Sequence, residues 1–142
     1  MANNVDIQFQ MRISALNVVR FSQYDFDGAV DPEEIDFHSN FGVKINAELS
    51  EIAIEITVQL KIKDADIKLS ELKVVMKFEI HPFHKVIVQE NDEFRVPDQI
   101  MINLFNIAAG TIRGIIHERL KGTELQAVIF PLLDVNSLLK SK

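Results

Sequence analysis

The sequence predicts an α+β domain: a four-stranded antiparallel sheet with one long helix and a short C-terminal helix packed on it. Three observations carry that expectation. Four segments before residue 81 alternate apolar and polar residues with period two, the signature of strands with one buried face. The connections joining the last three are short, which suits hairpins rather than parallel crossovers. After Pro97 the period changes to steps of three and four over a long proline-free stretch.

The first strand is read from Val5, Ile7, Phe9, Met11 and Ile13, alternating with Asp6, Gln8, Gln10 and Arg12. The pattern then slips. Leu16, Val18, Val19, Phe21, Tyr24 and Phe26 mix parities, which predicts a bulge or bend before turns at Asp27-Gly28 and Asp31-Pro32. A second strand runs from Phe41 through Val43, Ile45 and Ala47 to Leu49. The third holds six apolar residues in register, Ile52 to Ile62, against Ala53, Glu55, Thr57, Gln59 and Lys61. The fourth runs from Leu72 to Ile80 against Lys73, Lys77 and Glu79. One face is therefore aliphatic and aromatic and the other charged, as in an antiparallel sheet with one wet side.

The helix is expected from Asp98 to Lys121. Pro97 suits its start, and Arg119, Lys121 and Gly122 suit its C-terminal end. Such a helix would be about 36 Å long. Its polar stripe is narrow: Asn103, Asn106, Gly110, Arg113, His117 and Lys121. The apolar remainder is wider than a four-stranded sheet covers from one side, so the excess should meet another copy of the chain. Gly110 and Gly114, four residues apart, each cost up to ~1 kcal/mol against alanine. They mark either a tolerated weak point or a close approach of another backbone. The second reading makes Ile107, Gly110, Thr111, Gly114 and Ile115 the expected oligomer interface. The tail from Leu125 to Leu139 is interrupted by Pro131 and Asp134-Val135-Asn136, and a short helix is expected from Asn136.

At 142 residues the chain should form one domain over 1–142, since a second core would be hard to fit. With 15 Lys+Arg against 21 Asp+Glu, the net charge of −6 repels phosphate backbones and argues against nucleic acid. It also predicts a preference for basic segments in any polypeptide partner. The absence of cysteine rules out disulfides, thiolate metal sites and cysteine nucleophiles. The opening residues MANNVDIQFQ carry no basic and apolar leader pattern, so none is expected, and the longest apolar run, Ala127 to Leu133, is far short of the ~20 residues that span a bilayer. A cytoplasmic protein without membrane insertion is expected.

Candidate chemistry is thin. His81 and His84 flank Pro82-Phe83 at a strand end, and a two-histidine metal pair there would lack further ligands. His117 suits a solvated helix position, and Asp64 and Asp66 suit a turn. No phosphate loop, nucleophile elbow, zinc-protease or EF-hand pattern occurs. No enzyme activity, metal or cofactor is expected. The ten Phe and one Tyr are more informative, because several lie outside the strand registers. They are either satellite core beneath loops or the lining of an apolar groove for an extended chain.

Four antiparallel strands, a long helix, a Gly-Thr turn and an apolar, Pro-containing stretch closing on Val-Asn resemble one family. The residues carrying the likeness are Thr111-Ile112-Arg113-Gly114, Lys121-Gly122-Thr123, and Phe130-Pro131-Leu132-Leu133-Asp134-Val135-Asn136 with Leu138-Leu139. Ile54-Glu55-Ile56-Thr57-Val58, His81-Pro82-Phe83 and Arg20-Phe21-Ser22 are similar to its strands. The family is that of SecB, the protein-export chaperones, with stand-alone and toxin–antitoxin-associated relatives. The resemblance implies a homotetramer, a dimer of dimers with long helices sandwiched between sheets. It implies clients held without ATP as unfolded segments in apolar grooves. Partners implied are unfolded polypeptides, with the preprotein translocase ATPase or an antitoxin as specific cases. Lys140-Ser141-Lys142 stand where the classical family member continues into an acidic extension, so the ATPase is the less expected of the two. Tyr24, Phe26, Phe37, Phe83, Phe130 and Leu132 are the expected client-binding residues. The alternative is a carrier of a small apolar ligand or lipid, its sheet plugged by the helix; that would call for more strands around a pocket.

Overall fold

A computed structural model describes residues 8–24, 31–65, 67–123, 125, 126 and 128. The main sheet is built from β1 (Gln10–Gln23), β2 (Ile35–Asn46), β3 (Glu51–Ile62) and β4 (Lys68–His81), with a 3-10 turn at Pro32–Glu34. A short helix α1 (Phe83–Val86) and a hairpin of β5 (Val88–Glu90) and β6 (Glu93–Arg95) precede the long helix α2 (Asp98–Arg119). The sheet order is β1-β4-β3-β2, antiparallel throughout. β2, β3 and β4 form a meander, and β1 lies beside β4 in a Greek-key arrangement.

The strongest sequence pattern produces the best-packed strand. Ile52, Ile54, Ile56, Val58 and Leu60 of β3 are buried on one face, beside Leu72, Val74, Met76, Phe78 and Ile80 of β4. The opposite face carries Glu55, Gln59, Lys73 and Glu79. β2 begins earlier than expected, at Ile35, and ends at Asn46. Leu49 is not in the strand: it lies in the turn to β3, 58% exposed, where the Asn46 side chain accepts a hydrogen bond from the Leu49 amide. That local bond offers the backbone an alternative to the ladder.

The parity slip in β1 resolves into two bulges. Register shifts fall between Ile13 and Ala15 and between Val18 and Arg20, leaving Ser14 and Val19 as extra residues. The strand does not bend away but stays paired with β4 as far as Gln23. Residues 5 and 7, read as its beginning, lie outside the described residues.

α2 lays Ile100, Met101, Leu104, Phe105, Ala108, Ile112 and Ile116 on the sheet. Phe105 meets Phe41 of β2 edge to face, with ring centroids 5.5 Å apart. The helix is long and apolar enough to cross a membrane, but this buried face makes it the second layer of the core. It ends at Arg119, and Gly122 follows with φ 76°, where an L side chain would be strained. Leu125 and Val128, beyond the helix, join the core. The short helix expected from Asn136 lies outside the described residues.

Candidate functional surface

The helix and the sheet do not match in width. α2 packs over β2, β3 and β4 and leaves most of β1 uncovered. Five residues of β1 share the core face, each opposite a buried residue of β4: Met11 with Ile80, Ile13 with Phe78, Leu16 with Met76, Val18 with Val74, Phe21 with Leu72. Their β4 partners are 0–1% exposed, yet Ile13, Leu16 and Val18 are 49%, 47% and 37% exposed. Met11 and Phe21 are half-buried, and the Arg119 guanidinium stacks over the Phe21 ring at 5.5 Å. Because the β4 partners are evenly spaced, the five apolar side chains are too, with Leu16 at the centre. β1 is also an edge strand, its outer side unpaired among the described residues.

A second open stripe lies on α2. Ile107 is exposed, Thr111 and Ile115 are half-buried, and Gly110 and Gly114 are exposed beside them. A Cβ added at either glycine would meet nothing within 4 Å. The space is present, and nothing described in this chain fills it. The Thr111 hydroxyl is turned back onto the helix, donating to the Ile107 carbonyl at 2.8 Å.

The aromatic residues expected to bind clients are scattered. Tyr24 is 45% exposed just beyond β1, its amide bonded to the Leu69 carbonyl and its ring under the Lys68 ammonium. Ile67, next to Lys68, is exposed at the same end. Phe37 is half-buried on β2. Phe83 is corrected: it is 2% exposed, packed edge to face on Phe94 at 6.4 Å, and so forms part of the core rather than an open groove. Phe26, Phe130 and Leu132 lie outside the described residues. The β1 strip was not anticipated as a surface, although its residues were all visible in the sequence.

The other face of the sheet is electrostatically organised. The Glu71 carboxylate accepts hydrogen bonds from Gln59 (2.6 Å), Arg20 (3.1 Å) and Lys68 (3.3 Å), which lower its pKa to about 2. Glu55 is held below the usual carboxylate range by its bond to Lys73 at 2.8 Å, with Lys44 at 3.9 Å. Glu79 is lowered by His81 at 2.6 Å and by Arg12 at 3.0 Å. His81 is thus a hydrogen-bond partner of Glu79, and His84 and His117 are solvent-exposed. No group of three metal-ligating side chains occurs among the described residues.

Open hollows lie on the surface, one of about 590 Å³ beside Gln8, Phe9, Gln10 and His81. The layer between α2 and the sheet is filled by Leu104, Phe105, Ala108 and Ile112.

No family model matches the sequence, and no curated protein matches it. Among solved structures, the chain is similar to the Mycobacterium tuberculosis SecB-like chaperone Rv1957, solved in complex with a ChAD peptide from the Rv1956 HigA1 antitoxin. The TM-score is 0.59 over 87% of this chain and 90% of that one, at 14% identity. The chain has the SecB-like fold.

Proposed function

We propose that this protein is an ATP-independent chaperone that holds unfolded, extended polypeptide segments and works as an assembly of identical copies. The observation that carries the reading is the apolar surface running past the helix on a SecB-like fold. Core-type residues at Ile13, Leu16 and Val18 are left uncovered along an unpaired edge, an arrangement that calls for a cover. The peptide bound to the structurally similar mycobacterial chaperone supports a polypeptide as client.

The β1 strip favours a second copy as its cover, because it is self-complementary. A two-fold axis through Leu16 would set Leu16 on its counterpart, Ile13 on the partner's Val18 and Met11 on the partner's Phe21. The stripe of Ile107, Gly110, Thr111, Gly114 and Ile115 then serves contact between dimers, in keeping with a homotetramer. Clients take the remaining open apolar surface, with Tyr24 and Ile67 among its described members. A binder of many sequences needs non-directional contacts of this kind and no catalytic group. An aggregation-prone antitoxin and a pre-export chain both present such segments, and a cytoplasmic location suits either. Nothing favours the carrier alternative, since side chains fill the space between helix and sheet.

The test is light scattering from a chemically unfolded client diluted into buffer without nucleotide. Aggregation should be suppressed at near-stoichiometric amounts of the protein. An unchanged aggregation rate, or suppression only with ATP, would refute the reading.

A further inference from the structure

The charge of this chain is not evenly spread. The open face of the sheet carries Arg12, Arg20, Lys44, Lys68, Lys73 and Lys77, against Glu51, Glu55, Glu71 and Glu79. Asp36 and Lys61 face each other at one corner and add no net charge. That face is therefore positive on a chain whose net charge is −6. The excess acid lies elsewhere, at Glu33 and Glu34 in the 3-10 turn and at Glu90, Asp92 and Glu93 in the β5–β6 hairpin.

Two cations of the open face are poorly neutralised. Lys44 reaches Glu55 only at 3.9 Å, and Glu55 is already bonded to Lys73 at 2.8 Å. Lys77 has no carboxylate within 4.0 Å among the described residues. Their neighbours are small: the cross-strand row runs Ala15, Lys77, Ala53, Lys44. The missing bulk leaves a hollow of about 510 Å³ that both lysines line, together with Glu48 and Glu51. Lys44 and Lys77 lie two strands apart, about 10 Å, a span that two carboxylates on an extended segment can bridge.

We propose that the open face of the sheet docks an acidic, extended segment of a partner protein, with Lys44 and Lys77 as the anchoring cations. The site is separate from the apolar surfaces above and stands whether or not the protein holds unfolded clients. It also reverses, for this face, the preference for basic partners that net charge alone predicts. Charge complementarity over a flat polar surface acts mainly on association rate and selectivity and weakens with salt.

The experiment measures fluorescence anisotropy of a labelled twelve-residue peptide of alternating Glu and Gly with the full chain at 50 and 300 mM NaCl. A Lys/Gly peptide and a single-stranded oligonucleotide of equal charge serve as competing probes. The acidic peptide should bind best, and the higher salt should weaken it severalfold. A Lys44→Glu/Lys77→Glu variant should lose about tenfold in affinity at low salt, with client holding unchanged. Should that variant fail to fold by circular dichroism, Lys44→Gln/Lys77→Gln decides, with a loss of about threefold expected. Equal binding of the basic peptide, equal affinity in the variants, or tighter binding of the oligonucleotide would overturn the proposal.

Discussion

Glu71 offers the sharpest test of the structure, because one carboxylate joins three strands. Its oxygens receive Gln59 of β3, Arg20 of β1 and Lys68 of its own strand, and its side chain is only 9% exposed. Its pKa falls from 4.5 to about 2, so the folded state prefers the ionised form. A depressed folded pKa contributes stability that is fully present above the unfolded value. That stability is lost as pH falls from about 4.5 toward 2. The full shift corresponds to about 3 kcal/mol, and screening at the sheet surface trims it to about 1–3 kcal/mol. Glu71→Gln keeps the shape and removes the charge. At pH 7 the variant should be less stable by that amount, measured by urea unfolding at fixed protein concentration and followed by far-UV circular dichroism. At pH 2.5 the difference should shrink to a few tenths of a kcal/mol. A gap of the same size at both pH values, or none at pH 7, would refute the assignment of the network.

Other consequences follow from the packing. Phe105→Ala removes a ring that is 2% exposed against Phe41 and should cost about 3–5 kcal/mol in unfolding free energy. Gly114→Leu should lower the solution mass seen by light scattering, because a bulky side chain overpacks a close contact by about 1–3 kcal/mol; an unchanged mass would remove that stripe from the interface. Tyr24→Ser should weaken client binding without changing the fold, since the ring is exposed beneath the Lys68 ammonium.

The parts of the fold legible in the sequence are those with one dry and one wet side. β3 and β4 are the two inner strands of the sheet and carry helix α2 on one face only, so their period-two pattern is clean. β2 is an edge, half-covered, and its side chains from Phe37 to Ile45 are only partly buried, which blurs its start. The β5–β6 hairpin escaped because strands of three residues cannot show a period. Its signal was the turn pair Asn91-Asp92, both with positive φ. Phe83 looked free because it falls outside any strand register, yet α1 turns it back onto Phe94. The Glu71 network could not be read at all: Arg20 is 51 residues away, and only the strand register brings the two together.

The bulges of β1 connect that reading to assembly and yield a further test. Side chains alternate faces with every residue, so an odd insertion would normally turn the next segment over. Ser14 and Val19 absorb one residue each, and Met11, Ile13, Leu16, Val18 and Phe21 all stay on the core face. Two bulges are therefore what keep an apolar strip continuous on a strand that the helix does not cover. Deleting Ser14 forces a choice. Either Met11 and Ile13 rotate to the polar face and Arg12 to the apolar one, or the pairing with β4 slips. In both cases the strip loses its symmetry about Leu16, while the packing of α2 on β2, β3 and β4 is untouched. The deletion should thus reduce the assembly to smaller species while most far-UV signal and the cooperative unfolding remain. Ser14→Ala, which gives up only two long bonds of 3.3 Å to Glu51 and the Lys77 carbonyl, should keep the native mass. If the deletion variant also keeps the native mass, the β1 strip is not where copies meet.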